Sequence, residues 1–583
     1  MAQLSVGAWA WDGAAAEWFL LRAHVAWVSA DQPGSAKLSK MTGVTGRMGC
    51  RFCMIQGCYG KPAGAQDDDD SEDEEPPAED LPERWARTPY FPLSTPTAVA
   101  SLGPNRTRLP SYDPEALPLR TEDEYWDFLD ELDGNVDERE FSRRTGISAR
   151  PLLAALPSFV HPHFFPSDIF HLFTFNTLQL IWDTISLFKP GDPFNFAPRL
   201  RRKFGLAVVD AGSHLPGAFG SKPRNPHTKH NSHFKMVEWM ATFHFYLGPY
   251  LQDAGAPTEL LDMIVAILDG ISFASQSHGC RFVEVHAVRR SFITFVTEWE
   301  RLYIRNDDAL LSRARLSIHL LLHIADQIAA TGNPRATSQA ACERQIGLIK
   351  GELRSFRDPY EALVRRTHLI EQVNALDLLL DPQDGVATRR DRQWLDHPDR
   401  PDGIRPGRSI SLAKAKSICH RRTSLHAIRT ALFAEGYNLK RDARLHGFAR
   451  FTRSSFTFAV RSHLGRTSRT RRFSSVVAWS ASPDHDLEYF DVLAFAIKTE
   501  EMVAVGRRFV VDCDRSRSSN HWVAGQWSPR LQVISVDGIH DIMGVFPIEA
   551  TTYLFPRKNS FGGFAQWWAE RCIASAETSE DDE

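Results

Sequence analysis

The chain has 583 residues, 43% hydrophobic, 11% aromatic and 24% charged, an ordinary composition for a globular protein of roughly two to four domains. No stretch nears the ~20 apolar residues that cross a bilayer, the start lacks a basic leader, and eight cysteines are too few for a disulfide scaffold, so a reducing, non-membrane setting is expected. The net charge of −4 conceals an asymmetry: residues 67–80 hold ten acids and residues 577–583 five, with no base in either, so the remainder carries +11 and suits a polyanionic partner.

In chain order, residues 17–31 (EWFLLRAHVAWVSAD) are rich in aromatic and β-branched residues and predict a strand that closes at Asp31, before Gln-Pro-Gly. A cysteine-bearing loop, 46–60, follows. The acidic run then reads as a disordered insertion within an irregular segment, 61–145. Helical spacing begins near 146. It predicts helices over 167–188, 234–251, 257–273, 283–304 and 309–330, separated by Pro, Gly, Asn or Asp. Two more follow: 337–356, with Thr337 or Ser338 as N-cap, and 359–380, with Pro359 near its start. Residues 383–410 are loop-like. Beyond them 456–464, 474–482, 489–514 and 531–548 predict the strands of a C-terminal β-rich domain.

The chain has no phosphate-binding P-loop and no dinucleotide fingerprint. Cys50 and Cys53 form a C-x-x-C, a spacing at which two thiolates reach one tetrahedral Zn²⁺, with Cys58 nearby. A closed site needs two further ligands. Asp168 and His171, at i, i+3, share a helix face and have a suitable spacing, with His161 and His163 as alternatives; reduced thiols beside a buried histidine are the other reading. His319 and His323 also share a face. Their H-L-L-L-H lacks the Glu of a zinc protease, so they read as core or helix-surface histidines.

Several blocks, taken together and in order, resemble fungal transposases of the CACTA (En/Spm) superfamily. They are residues 28–60 (VSADQPGSAKLSKMTGVTGRMGCRFCMIQGCYG), 163–176 (HFFPSDIFHLFTFN), 214–226 (HLPGAFGSKPRNP), 338–353 (SQAACERQIGLIKGEL) and 371–376 (EQVNAL). The resemblance spans about 1–382 and implies an RNase H-like catalytic core. In that core three carboxylates hold two divalent cations, Mg²⁺ or Mn²⁺, that cut and join DNA at transposon ends. Asp31 matches the family's second Asp and Glu343 its Glu. The C-x-x-C and D-x-x-H that the family carries between them map to Cys50, Cys53, Asp168 and His171. The family's first Asp lies upstream of the block that begins here near Trp9. Two carboxylates hold Mg²⁺ poorly, so this chain alone is not expected to be a competent transposase.

Residues 440–472 carry ten Lys or Arg against one acid, Asp442, with Phe448, Phe451, Phe456 and Phe458 interleaved. Lys440, Arg441, Arg450, Arg453, Arg461, Arg466, Arg469, Arg471 and Arg472 are therefore the candidate DNA-binding residues, the alternative being a solvated basic loop. The expected fold is α/β plus α. It comprises a partial RNase H-like core with its cysteine loop (1–60), the acidic segment (61–145) and a large all-helical insertion (146–336). Returning core helices carry Glu343 (337–382), and a basic loop leads to the C-terminal β-rich domain (383–583). A nuclear DNA-binding protein follows from the resemblance, multimeric because strand transfer holds two ends. The alternatives are DNA binding without catalysis and an interaction scaffold without nucleic acid.

Overall fold

Helices and one large antiparallel sheet make this a mixed α/β protein, divided into two units: residues 1–198 with 256–339, and 199–255 with 340–583. The computed structural model describes residues 2–59, 88–96, 110–230, 234–275, 282–352 and 358–379. It further describes 405–410, 425–437, 446–459, 472–517 and 521–557, in each case apart from a few interior positions. The acidic run and the acidic tail lie outside the described residues. The helical stretch expected as one insertion is shared between the units, because residues 199–255 cluster with the sheet.

The first unit opens with a hairpin, β1 (Ala8–Asp12) against β2 (Glu17–Leu21), whose Trp9, Trp11 and Trp18 are exposed. The strand expected through residue 31 therefore stops at Leu21. Beyond it Val25 and Val28 turn into a cluster with Tyr125, Leu129, Phe159 and Phe164, and the Val28 N–H donates to Phe164 O at 2.8 Å. Ala30 makes a single parallel bridge to Ser167, and Asp31 caps the helix Gln32–Ser39 through Gly34 N at 2.7 Å. Among the described residues β1 and β2 are the named strands of this unit, and no RNase H-like sheet is built from them.

Two helices occupy the segment expected to be irregular. Glu122–Leu132 starts at a capping box of Thr121 and Glu124. Glu138–Thr145 starts at Asp137 and ends at Gly146, whose φ of +77° favours glycine. Strong local acidity hid the apolar pair Tyr125 and Leu129, which both helices' packing buries. Further on, Ile169–His171, Leu172–Leu178 and Gln179–Ser186 run on as one helix with a π-helical middle. Thr258–Ala274 packs on Phe282–Trp299. The helix expected over 309–330 is broken into Asp308–Arg313, Leu316–Leu320, Leu321–His323 and Ile324–Thr331. The break follows from Arg313, whose buried guanidinium forks onto Asp192 at 2.7 and 2.8 Å while its carbonyl accepts from Trp299 Nε1 at 3.0 Å.

The second unit holds the short strands β3 (Arg405–Pro406), β4 (Ser409–Ile410), β5 (His446–Phe448), β6 (Arg450–Arg453) and β7 (Phe456–Ala459). The longer ones are β8 (Val476–Trp479), β9 (Glu488–Lys498), β10 (Glu501–Arg517) and β11 (Trp522–Ser535). β12 (Ile539–Ile542), β13 (Gly544–Ile548) and β14 (Thr551–Phe555) complete the set. The main sheet runs β12-β8-β9-β10-β11-β14-β13, with β5 adding to β9 and β4 to β5; β3, β6 and β7 form a separate sheet. Its strands alternate between two apolar layers. Ala504 faces Val477, Phe490 and Ile534, while Val503 and Val505 face Ile428 and Leu432 of the helix Leu425–Ala434. On β11, β13 and β14 sits the helical run that begins at Met236. Phe245 stacks on Phe555 with centroids 4.8 Å apart, and Trp522 Nε1 donates to Gln252 Oε1 at 2.7 Å.

Candidate metal centre

The loop carrying the cysteines has no regular element but is pinned on three sides. Met54 N donates to Pro118 O (2.8 Å), Arg120 N to Phe52 O (2.9 Å), and Cys58 and Tyr90 exchange two backbone bonds. Gly49 makes this path feasible, since a Cβ there would lie 2.0 Å from Gly43 O. The result turns Cys50 and Cys53 inward, both fully buried.

Opposite them stand His319 and His323, each 1% exposed. One ligand atom from each of the four residues falls within 4.8 Å of every other. Cys53 Sγ is 3.2 Å from His319 Nε2, Cys50 Sγ is 3.5 Å from His323 Nε2, and the two Nε2 atoms are 3.2 Å apart. A tetrahedron with bonds of about 2.0–2.3 Å has edges of about 3.3–3.8 Å, so these separations are close to those that four ligands of one Zn²⁺ adopt. The rings are set by stacking: Phe91 on His319 with centroids 6.4 Å apart, and Phe52 on His323 at 5.3 Å.

Electrostatics favours the thiolate at Cys50. Backbone N–H groups point at both sulfurs, Phe52 N to Cys50 Sγ at 3.4 Å and Ile55 to Cys53. Two buried guanidiniums flank the loop. Arg120 donates to Cys50 O (3.0 Å) and Met48 O (3.3 Å), and Arg51 to Phe165 O (3.2 Å). Burial lowers the Arg51 pKa to about 10, and the charge of Cys50 opposes that fall. For Cys50 burial acts upward, but the hydrogen bond with Cys53 and the charges of His323 and His319 prevail and hold it well below its usual value. Burial and the neighbouring Cys50 push Cys53 well above. Burial lowers His319, which suits the neutral imidazole a metal requires. Cys58 stands outside the group and burial pushes it up to about 12.

The sequence expectation therefore needs correcting at two ligands. The Cys pair is met by His319 and His323, which had read as core histidines, and they are indeed in the core. Asp168 and His171 bond each other instead, Oδ2 to Nδ1 at 2.5 Å, while the Asp168 carboxylate caps its own helix through Phe170 N (3.0 Å) and His171 N (3.3 Å). His163 lies near the group, its ring 6.3 Å from Phe52, and His161 stacks on Tyr125 at 3.8 Å. A signal for the right pair was present: C-x-x-C and H-x-x-x-H are each half a zinc site.

Asp31 is in the first unit, as the helix cap already described. Glu343 is exposed on the helix Ala340–Glu352 of the second. Of the basic residues, Arg450 and Arg453 lie on β6, while Lys440, Arg441, Arg461, Arg466, Arg469 and Arg471 fall outside the described residues. Arg472 donates to the carbonyls of Pro216 and Gly220, so its guanidinium serves the fold of the second unit.

Cys50, Cys53, His319 and His323 form a buried Cys2His2-like group whose N and S donors could hold a metal ion, and this donor set is that of structural zinc sites. No family model matches the chain, and neither curated proteins nor solved structures gave a match.

Proposed function

We propose that this chain is a transposon-derived DNA-binding protein of the kind its sequence resembles, acting on transposon-end DNA in the nucleus. Zn²⁺ at Cys50, Cys53, His319 and His323 staples its first unit. Asp31 and Glu343 are its ligands for Mg²⁺ or Mn²⁺.

The observation that carries this reading is the order of the ligands. The Cys pair follows Asp31 and the His pair precedes Glu343, so an ion closing the tetrad draws together the stretches that lead from one carboxylate and towards the other. Direct bonds support the same pairing: Ser29 Oγ donates to Thr337 O, and Gln339 Nε2 donates to Ser29 O at 3.1 Å. The resemblance asks for a metal-binding set between its last two carboxylates, and the tetrad stands there in sequence.

Fluorescence anisotropy of labelled duplex DNA tests the reading. Binding should weaken steeply and linearly in log–log form as salt rises, by about tenfold or more between 50 and 200 mM. A flat salt response, or no binding at low salt, would favour the scaffold alternative. Mn²⁺-dependent strand cleavage that Asp31→Ala abolishes would support the carboxylate assignment, and cleavage unchanged in Asp31→Ala would overturn it.

A further inference from the structure

We propose that a cleft in the first unit, lined by Gln32, Tyr90, Phe175, Asn176, Arg315 and Leu316, binds one unpaired nucleotide, its base against Phe175 and Tyr90 and its phosphate on Arg315. Taking that nucleotide from a strand rests on the nucleic-acid reading given above; the cleft itself needs neither Asp31 nor Glu343.

The cleft encloses about 320 Å³, within the range of small-ligand pockets. Its walls come from stretches bonded to one another. Ser317 Oγ donates to Asn176 O at 3.1 Å, Phe91 N donates to Ala314 O at 2.7 Å, and Tyr90 is paired with Cys58 through its backbone. Phe175 and Asn176 belong to the π-helical turn Leu172–Leu178. That turn buries Leu172, Phe173, Thr174, Thr177 and Leu178, yet leaves Phe175 38% exposed. Such π-helical turns recur at functional sites.

The polar groups of the cleft are uncommitted. Among the described residues the Gln32 and Asn176 amides, the Tyr90 hydroxyl and the Arg315 guanidinium make no hydrogen bond or ion pair. The lining residues include no acid, so their one charge is the cation of Arg315. A guanidinium grips a phosphate through parallel N–H groups. A side-chain amide presents a donor beside an acceptor, the pattern that matches the edge of a base, adenine above all. Aromatic rings give the stacking surface on which unpaired bases rest. A bare phosphate would leave the rings and amides idle, and an uncharged aromatic ligand would leave the guanidinium idle. A nucleotide engages all three. It must be unpaired, because a base inside a duplex has both faces stacked and its pairing edge occupied.

The test titrates the full, zinc-loaded chain by calorimetry with dAMP, with deoxyadenosine and with a single strand of deoxyadenylate. Arg315→Gln and Phe175→Ala should each weaken dAMP binding about tenfold, and Phe175→Tyr should stay within about twofold of wild type. Deoxyadenosine should bind the wild type about tenfold more weakly than dAMP, and the Arg315→Gln variant no more weakly than dAMP does. Both side chains are exposed, so zinc content should not change. If either variant does lose zinc, Gln32→Ala, on a separate helix, must weaken dAMP about fivefold for the proposal to stand. No binding of dAMP or the strand, or binding that both variants leave unmoved, overturns it. So does a phosphate effect that persists in Arg315→Gln. A strand that binds at least tenfold more tightly than dAMP, with the same dependence on both residues, marks nucleic acid as the source; equal affinities mark a free nucleotide. The duplex salt titration is judged separately. Steep duplex binding with a silent cleft ends this proposal and keeps the DNA reading, whereas dAMP binding without DNA binding keeps the cleft and ends that reading.

Discussion

Buried charges define this protein at the scale of single residues, and Glu300 offers the clearest test. Its carboxylate accepts from Leu93 N (2.7 Å) and Ser94 N (3.4 Å), yet burial raises its pKa from 4.5 to about 7 against those bonds. A carboxyl raised in the folded state binds its proton more tightly there than in the unfolded chain. Its contribution is therefore fully present below pH 4.5 and is lost as pH climbs to about 7. Glu300→Gln should flatten that fall. Denaturation midpoints measured from pH 4.5 to 8 should show wild type losing up to about 3 kcal/mol relative to the variant. Parallel pH profiles would refute the assignment. The segment so held is the one that places Phe91 on His319, so Glu300 also serves the metal centre's wall.

At the scale of elements, close backbone approach decides more than propensity does. Gly248 follows the π-helical turn Thr242–Leu247, and a Cβ on it would lie 2.4 Å from Trp522 Cζ3. Trp522 is 1% exposed and anchored by its bond to Gln252, so it cannot yield cheaply. Gly248→Ala should cost about 2 kcal/mol by chemical denaturation and alter tryptophan fluorescence. A neutral effect would mean that helix and sheet pack less tightly than described. The long helices between 167 and 304 were legible because leucines, phenylalanines and isoleucines recur at helical spacing. Their π-helical interruptions were not, since one extra residue in a turn leaves the apolar pattern nearly intact. The strand read through residue 31 failed for the opposite reason. Alternating aromatic residues make a strand only where a neighbour pairs with them, and past Leu21 helices take those side chains instead.

For the whole molecule, the prediction concerns metal. Purified chain should carry one zinc, and Co²⁺ exchanged into it should give the absorption of a tetrahedral thiolate site. Cys53→Ser and His319→Ala should each lose the ion and lower the thermal midpoint by about 10 °C or more, the shift that ~4 kcal/mol produces in a unit of this size. His171→Ala should keep it. Zinc lost from His171→Ala but kept in His319→Ala would reverse the ligand assignment. Because the tetrad joins residues 266 and 273 positions apart, its closure bears on the whole first unit.

Local chemistry was readable before any fold was known: the helix periods, the β-rich C-terminal part, the charge blocks, and a cysteine pair fit for zinc. These depend on residues within a turn or two of one another. The choice of His319 and His323 over Asp168 and His171 was not readable, nor were the division of the helices between two units or the bonds that join Ser29 to Gln339. Each brings together segments far apart in the chain, and either pair has ligand-like spacing. What separates them is burial and packing. Phe52 and Phe91 hold two rings against two sulfurs, and helix capping turns Asp168 towards its own backbone.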